Sequence, residues 1–170
     1  MAQDAARASV NVTLDPQLMA RLAQRIGTQS YMTATRTLDL ASRGLGVAEL
    51  GPGGDMSLAR LLTAAQSEAL SELQSCRFRP QPHVLLSVRL RANPLGDPGL
   101  CIVADAVRCA APLTLHSLCL GSVGAGDTGV AALVEAIDGC SCVLHNLDLS
   151  ANRLTAASMK AIALLLASSR

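Results

Sequence analysis

Aromatic side chains are almost missing from this chain. Tyr31 and Phe78 are the only tyrosine and phenylalanine, and there is no tryptophan. This counts against any reading that needs stacking platforms, such as sugar or single-strand binding. Lysine is nearly absent too, with Lys160 alone against thirteen arginines, and the formal net charge is only +1. Such a balance gives no electrostatic basis for binding nucleic acid or an acidic membrane. The longest uninterrupted apolar run covers residues 161–167, far short of a membrane span. The opening MAQDAARASV lacks the apolar block of a secretory signal. No Cys-x-x-Cys pair, no Gly-x-Ser-x-Gly, no Cys–His arrangement with an orienting acid and no usefully spaced carboxylate pair occur. The expectation is a chain that is not an enzyme, carries no cofactor and resides in the cytoplasm.

What remains is apolar and periodic. Half of the 170 residues are hydrophobic and 16 % are charged, a composition that rejects disorder and a length that suits one domain. Three segments align without gaps: LLSVRLRANPLGDPGL, LHSLCLGSVGAGDTGV and LHNLDLSANRLTAASM. Counted from Leu90, Leu120 and Leu149, apolar residues recur five and two positions back and five, ten, thirteen and seventeen positions on. All eighteen of these positions are apolar, from Leu85, Leu115 and Leu144 through to Val107, Ile137 and Leu166. The pair two apart points one way along a strand. The positions at ten, thirteen and seventeen share one face of a helix. Each unit is thus a strand, a turn and a helix, too small to bury its own apolar side, so neighbours must stack. Short connections of one hand then give a parallel strand row with helices outside.

Two weaker units lie upstream. Leu38, Leu40 and Leu45 fit the template, and Val10 and Val12 precede a helical stripe of Leu18, Leu22 and Ile26. The spacing from Leu40 to Leu90 is some twenty residues too long. The excess holds the GPGGD loop signal and a helix from Ser57 to Cys76, with Ser57 as its cap and Leu58, Leu61, Leu62, Ala65, Leu70 and Leu73 on its apolar side. The expected organisation is a single α/β domain over 1–170, with units near 9–30, 35–83 (with the insertion), 84–112, 113–142 and 143–170.

LLSVRLRANPLGDPGLCIVADAV and LHNLDLSANRLTAASMKAIALLL resemble leucine-rich repeats of the ribonuclease-inhibitor subtype, a group that includes Ran GTPase-activating proteins and the repeat regions of innate immune receptors. The resemblance implies a short curved solenoid with the parallel sheet on its concave face. It also implies a turn asparagine in each unit. Asn93 and Asn152 hold that position, but Arg43 and Val123 replace it in two units, where looser turns are expected.

Several local patterns have structural explanations. Gly124, Gly126 and Gly129 match the dinucleotide fingerprint, but the preceding unit repeats the same turn at residues 94–99. They read as a helix start with Asp127 as N-cap. The six cysteines read as small core residues. His116 and His145 occupy equivalent positions and should neighbour each other across adjacent strands at about 5 Å, without an evident third metal ligand. His83 falls outside the template. Asn11-Val12-Thr13, a formal glycosylation site, lies in an expected strand of an intracellular chain and is discounted.

Binding is expected on the strand side chains that point away from the helices. The column Asn11, Asp39, Arg89, Cys119 and Asp148, with Arg91 beside it, forms a small polar surface with two arginines flanked by acids. Arg77 and Arg79 extend the basic run. The last helix is apolar beyond its stripe, through Leu165 and its alanines, so the C-terminal end is a second contact or a site of end-to-end self-association. The expected function is a non-catalytic scaffold or assembly subunit that binds protein partners, with no nucleic acid and no membrane. The alternative is a regulator of an enzyme such as a GTPase.

Overall fold

The computed structural model describes residues 31–32, 37–54, 57–63, 85–110, 114–140 and 142–168. They form an α/β structure. Strands β1 (Tyr31–Met32), β2 (Thr37–Asp39), β3 (Leu85–Arg89), β4 (Thr114–Cys119) and β5 (Val143–Asp148) make one sheet in chain order. Helices α1 (Val47–Leu50), α2 (Gly96–Cys109), α3 (Asp127–Gly139) and α4 (Ala156–Ser168) follow β2, β3, β4 and β5. Strands β2 to β5 are parallel, while β1 pairs antiparallel with β2 through Tyr31–Leu38 and Met32–Thr37. The expected first unit at 9–30 lies outside the described residues. Its parallel strand was to lie beside β2, but that edge carries the antiparallel β1.

The register follows the sequence spacing. Leu38, Val88, Leu118 and Leu147 stand side by side, as do Asp39, Arg89, Cys119 and Asp148. Hydrogen bonds continue the row beyond the strands in the same pattern at each joint. Leu40, Leu90 and Leu120 donate to the carbonyls of Arg89, Cys119 and Asp148; Ser42, Ala92 and Ser122 donate to those of Arg91, Gly121 and Ser150, all at 2.8–2.9 Å. Side chains from the inner face of the sheet and from the helices then share one core. Leu90, Leu100, Val107, Leu115, Leu120, Val130 and Leu133 are sealed from solvent. Each such leucine gains about 1.5–3 kcal/mol from burial. The insertion joins this core through a helical stretch at 58–63, preceded by buried Ser57, whose carbonyl accepts the Leu61 N–H. Leu58, Leu61 and Leu62 are buried there; Ala65, Leu70 and Leu73 lie outside the described residues.

The turns correct one expectation. Ser42, Ala92, Ser122 and Ala151 sit two residues past the last strand leucine, and all adopt left-handed φ values of 53–56°. The four turns are therefore alike, with or without asparagine. Each asparagine ties its own turn to that of the unit before it. The Asn93 side-chain oxygen accepts N–H bonds from Arg43 and Leu45, and its amide donates to the Leu40 and Leu90 carbonyls. Asn152 does the same for Val123, Ala125, Leu120 and Leu149. The turns at Arg43 and Val123 are not looser, because their free donors are satisfied from the following unit.

Asp127 is not an N-cap either. The cap position of α3 is Gly126, without a side-chain cap of its own. The cap is supplied by the neighbouring unit: Asp97 Oδ1 accepts the N–H groups of Gly126 and Gly129 at 2.5 and 3.2 Å. A Cβ on Gly129 would come within 2.8 Å of that oxygen, so close approach requires glycine there. Asp127, one period later, accepts the Thr155 N–H and hydroxyl, while the Thr155 hydroxyl oxygen accepts the Ala157 N–H.

Candidate functional site

The outward side of the sheet is left uncovered by the described helices, and its side chains come from the strand positions between the core leucines. Alternation dictates this: Leu38, Val88 and Leu118 turn inward, so Asp39, Arg89 and Cys119 turn outward. Asp39, Arg89, Cys119 and Asp148 form the expected column, one residue per strand, with Arg91 one step beyond it. Asn11 lies outside the described residues, as do Arg77 and Arg79.

Electrostatic compensation is built into this surface. Arg89 Nη1 lies 3.4 Å from Asp39 Oδ2, with 57 % and 38 % of the two side chains exposed. Such an exposed pair contributes at most about 1 kcal/mol to stability. Asp148 is held below the ordinary carboxylate value first by the Ser150 backbone N–H, then by the Ser150 hydroxyl and by the Arg91 charge. Gly121 stands between Arg91 and Ser150, one step past the row that holds Cys119 and Asp148. A Cβ there would lie 3.2 Å from Asp148 Oδ2 and 2.9 Å from Ser150 Oγ. The missing side chain gives these polar groups room to lean across the strand. Asp39 and Asp148 also share a structural role, each accepting the backbone N–H two residues on, at Ala41 and Ser150. Cys119 is half-buried, with its Sγ 3.5 Å from Ser117 Oγ. Two cations and two anions thus share a small area, so their long-range fields largely cancel.

The glycine fingerprint offers no free anion cradle. The N–H groups of Gly126 and Gly129, which a pyrophosphate would need, already bond to the Asp97 carboxylate. The cysteines depart from the core expectation. Cys101, Cys119, Cys140 and Cys142 are half-buried, Cys109 is exposed, and all five are free thiols; Cys76 lies outside the described residues. Burial, then the neighbouring Cys140, pushes the Cys142 thiol up to about 12. It is therefore a poor nucleophile at neutral pH. His116 and His145 neighbour each other as expected, with ring centroids 5.7 Å apart. Among the described residues no group of three or more His, Cys, Asp or Glu side chains is placed to hold a metal ion, and no helix is long and apolar enough to cross a membrane.

At the end of the row, β5 has no strand beyond it among the described residues. On α4, Met159, Leu164 and Leu166 are 60 %, 62 % and 71 % exposed. The expected outward leucine, Leu165, is instead half-buried against the core, and the stripe residue Leu166 is the one in solvent. Leu164 occupies the template position held by exposed Asp105 and Glu135 in α2 and α3. Of these three helices, α4 alone is apolar at that position. Comparison with family models, with curated proteins and with solved structures returned no match.

Proposed function

We propose that the chain is a non-catalytic protein–protein interaction module, a leucine-rich-repeat solenoid of the ribonuclease-inhibitor type acting as a scaffold or assembly subunit. The partner is a protein that meets the polar sheet face around Asp39, Arg89, Arg91 and Asp148, with the apolar end at α4 as a second contact. The observation that carries this reading is the in-register column of one outward residue per strand, on a face that no helix among the described residues covers. A rigid row of this kind loses little ordering entropy on binding.

The test is comparative. Immobilised wild-type chain and the Arg89→Glu/Arg91→Glu double variant are exposed to the same cell extract, with circular dichroism verifying that both are folded. Proteins retained by the wild type and lost with the variant support the assignment. An identical set on both removes the sheet face from the reading.

A further inference from the structure

We propose that His116 and His145 form a two-imidazole chelating site for a divalent transition metal such as Ni2+, Zn2+ or Cu2+. The sheet brings the two residues together. Leu115 pairs with Leu144 on one side of them and Ser117 with Asn146 on the other, so the histidines are held directly opposite on parallel neighbours. The Asn146 side chain also donates to the His116 carbonyl at 3.3 Å, tying the strands at this point. Both histidines are exposed, and their ring centroids lie 5.7 Å apart with the planes tilted by 36°.

That separation suits chelation. Metal–nitrogen bonds of about 2.0–2.1 Å at a tetrahedral angle place two imidazole centroids about 5 Å apart. The observed spacing closes to that value with small side-chain rotations, and the strand pairing supplies the preorganisation. Imidazole pairs favour borderline transition metals over Mg2+ and Ca2+, which take oxygen ligands. Since no third protein ligand stands beside the pair among the described residues, water completes the coordination. The site lies at the start of β4 and β5, the last two strands of the described sheet, and shares no residue with the column around Arg89. It therefore stands whether or not that face binds a protein.

The experiment is titration of the full chain with Ni2+, followed by calorimetry and by paramagnetic broadening of backbone NMR signals, with Mg2+ as the control cation. The expected result is saturable one-to-one Ni2+ binding, with broadening centred on residues 116 and 145 and no response to Mg2+. His116→Ala and His145→Ala should each lower the affinity by about tenfold or more, since even outer-shell partners of a metal ligand are worth 10–100-fold. His83→Ala should leave it unchanged. No saturable Ni2+ binding, broadening centred elsewhere, or equal affinity in either histidine variant would overturn the proposal. Circular dichroism of each variant separates loss of the site from loss of the fold.

Discussion

The unit made of β4 and α3 and the unit made of β5 and α4 follow the same template, yet one is dry and the other is wet. In α3, Val130, Leu133 and Ile137 are buried; in α4, the equivalent Met159 and Leu166 stand in solvent and Ile162 is half-buried. The side chains are equally apolar, so the difference lies in the neighbours. A unit between two others is covered on both flanks, whereas β5 and α4 are flanked on one side only among the described residues. Stability in such a row belongs to the joints between units more than to the units.

The largest test of this contrast compares two leucines of the same size. Leu133→Ala should cost about 2–5 kcal/mol in urea unfolding, the usual range for a sealed core leucine. Leu166→Ala should change stability by less than about 0.5 kcal/mol, as at an ordinary surface site. An equal cost at the two positions would mean that α4 is covered in solution.

The asparagines sharpen the comparison at the turns. Asn93 is buried and Asn152 is half-buried, with matching bonds. Asn93→Ala strands two N–H donors and should cost about 2–6 kcal/mol, since each unsatisfied buried group costs about 1–3 kcal/mol. Asn152→Ala should cost about half as much, because water can replace the lost partner. Urea midpoints of the two variants decide this.

A smaller effect is expected at the helix starts. Asp97→Ala removes the cap of α3 and should cost about 1 kcal/mol, together with faster amide exchange at Gly126 and Gly129. If exchange speeds instead at the start of α2, the cap acts within its own helix and the inter-unit role is wrong.

The smallest effect concerns pH. The Thr155 hydroxyl, then the Thr155 N–H, hold the exposed Asp127 carboxyl below its ordinary value. A depressed folded-state value means that the stabilisation is present above the ordinary carboxylate range and is lost as pH falls through the folded one. Melting temperature should fall less steeply below about pH 4 in Asp127→Asn than in the wild type. Parallel acid profiles would show that the Thr155 contact contributes nothing.

These contrasts also mark what the sequence makes legible. Spacings of 30 and 29 residues between the strand leucines predict which residues stand abreast, and Val88, Leu118 and Leu147 do so. The outward column containing Arg89 and Asp148 follows from the same count. Periodicity says which positions are equivalent, but not which neighbour a polar side chain will bond. The backward reach of Asn93, the capping of α3 by Asp97 and the left-handed turn at Ala92 are properties of a joint, invisible in either unit alone. The antiparallel β1 has no counterpart in the repeat and so no signature in its spacing. The half-buried and exposed cysteines have a simpler reason. Small apolar residues are tolerated at half-buried template positions, so composition does not distinguish those sites from the core.

The most direct measurement is the set of scalar couplings across backbone hydrogen bonds, read by NMR on the isotope-labelled chain. Couplings from the amides of Leu40, Leu90 and Leu120 to the carbonyls of Arg89, Cys119 and Asp148 should all appear, one per joint. Couplings that link these strands antiparallel, or in any order other than β2, β3, β4, β5, would contradict the side-by-side arrangement and with it the polar column and the histidine pair.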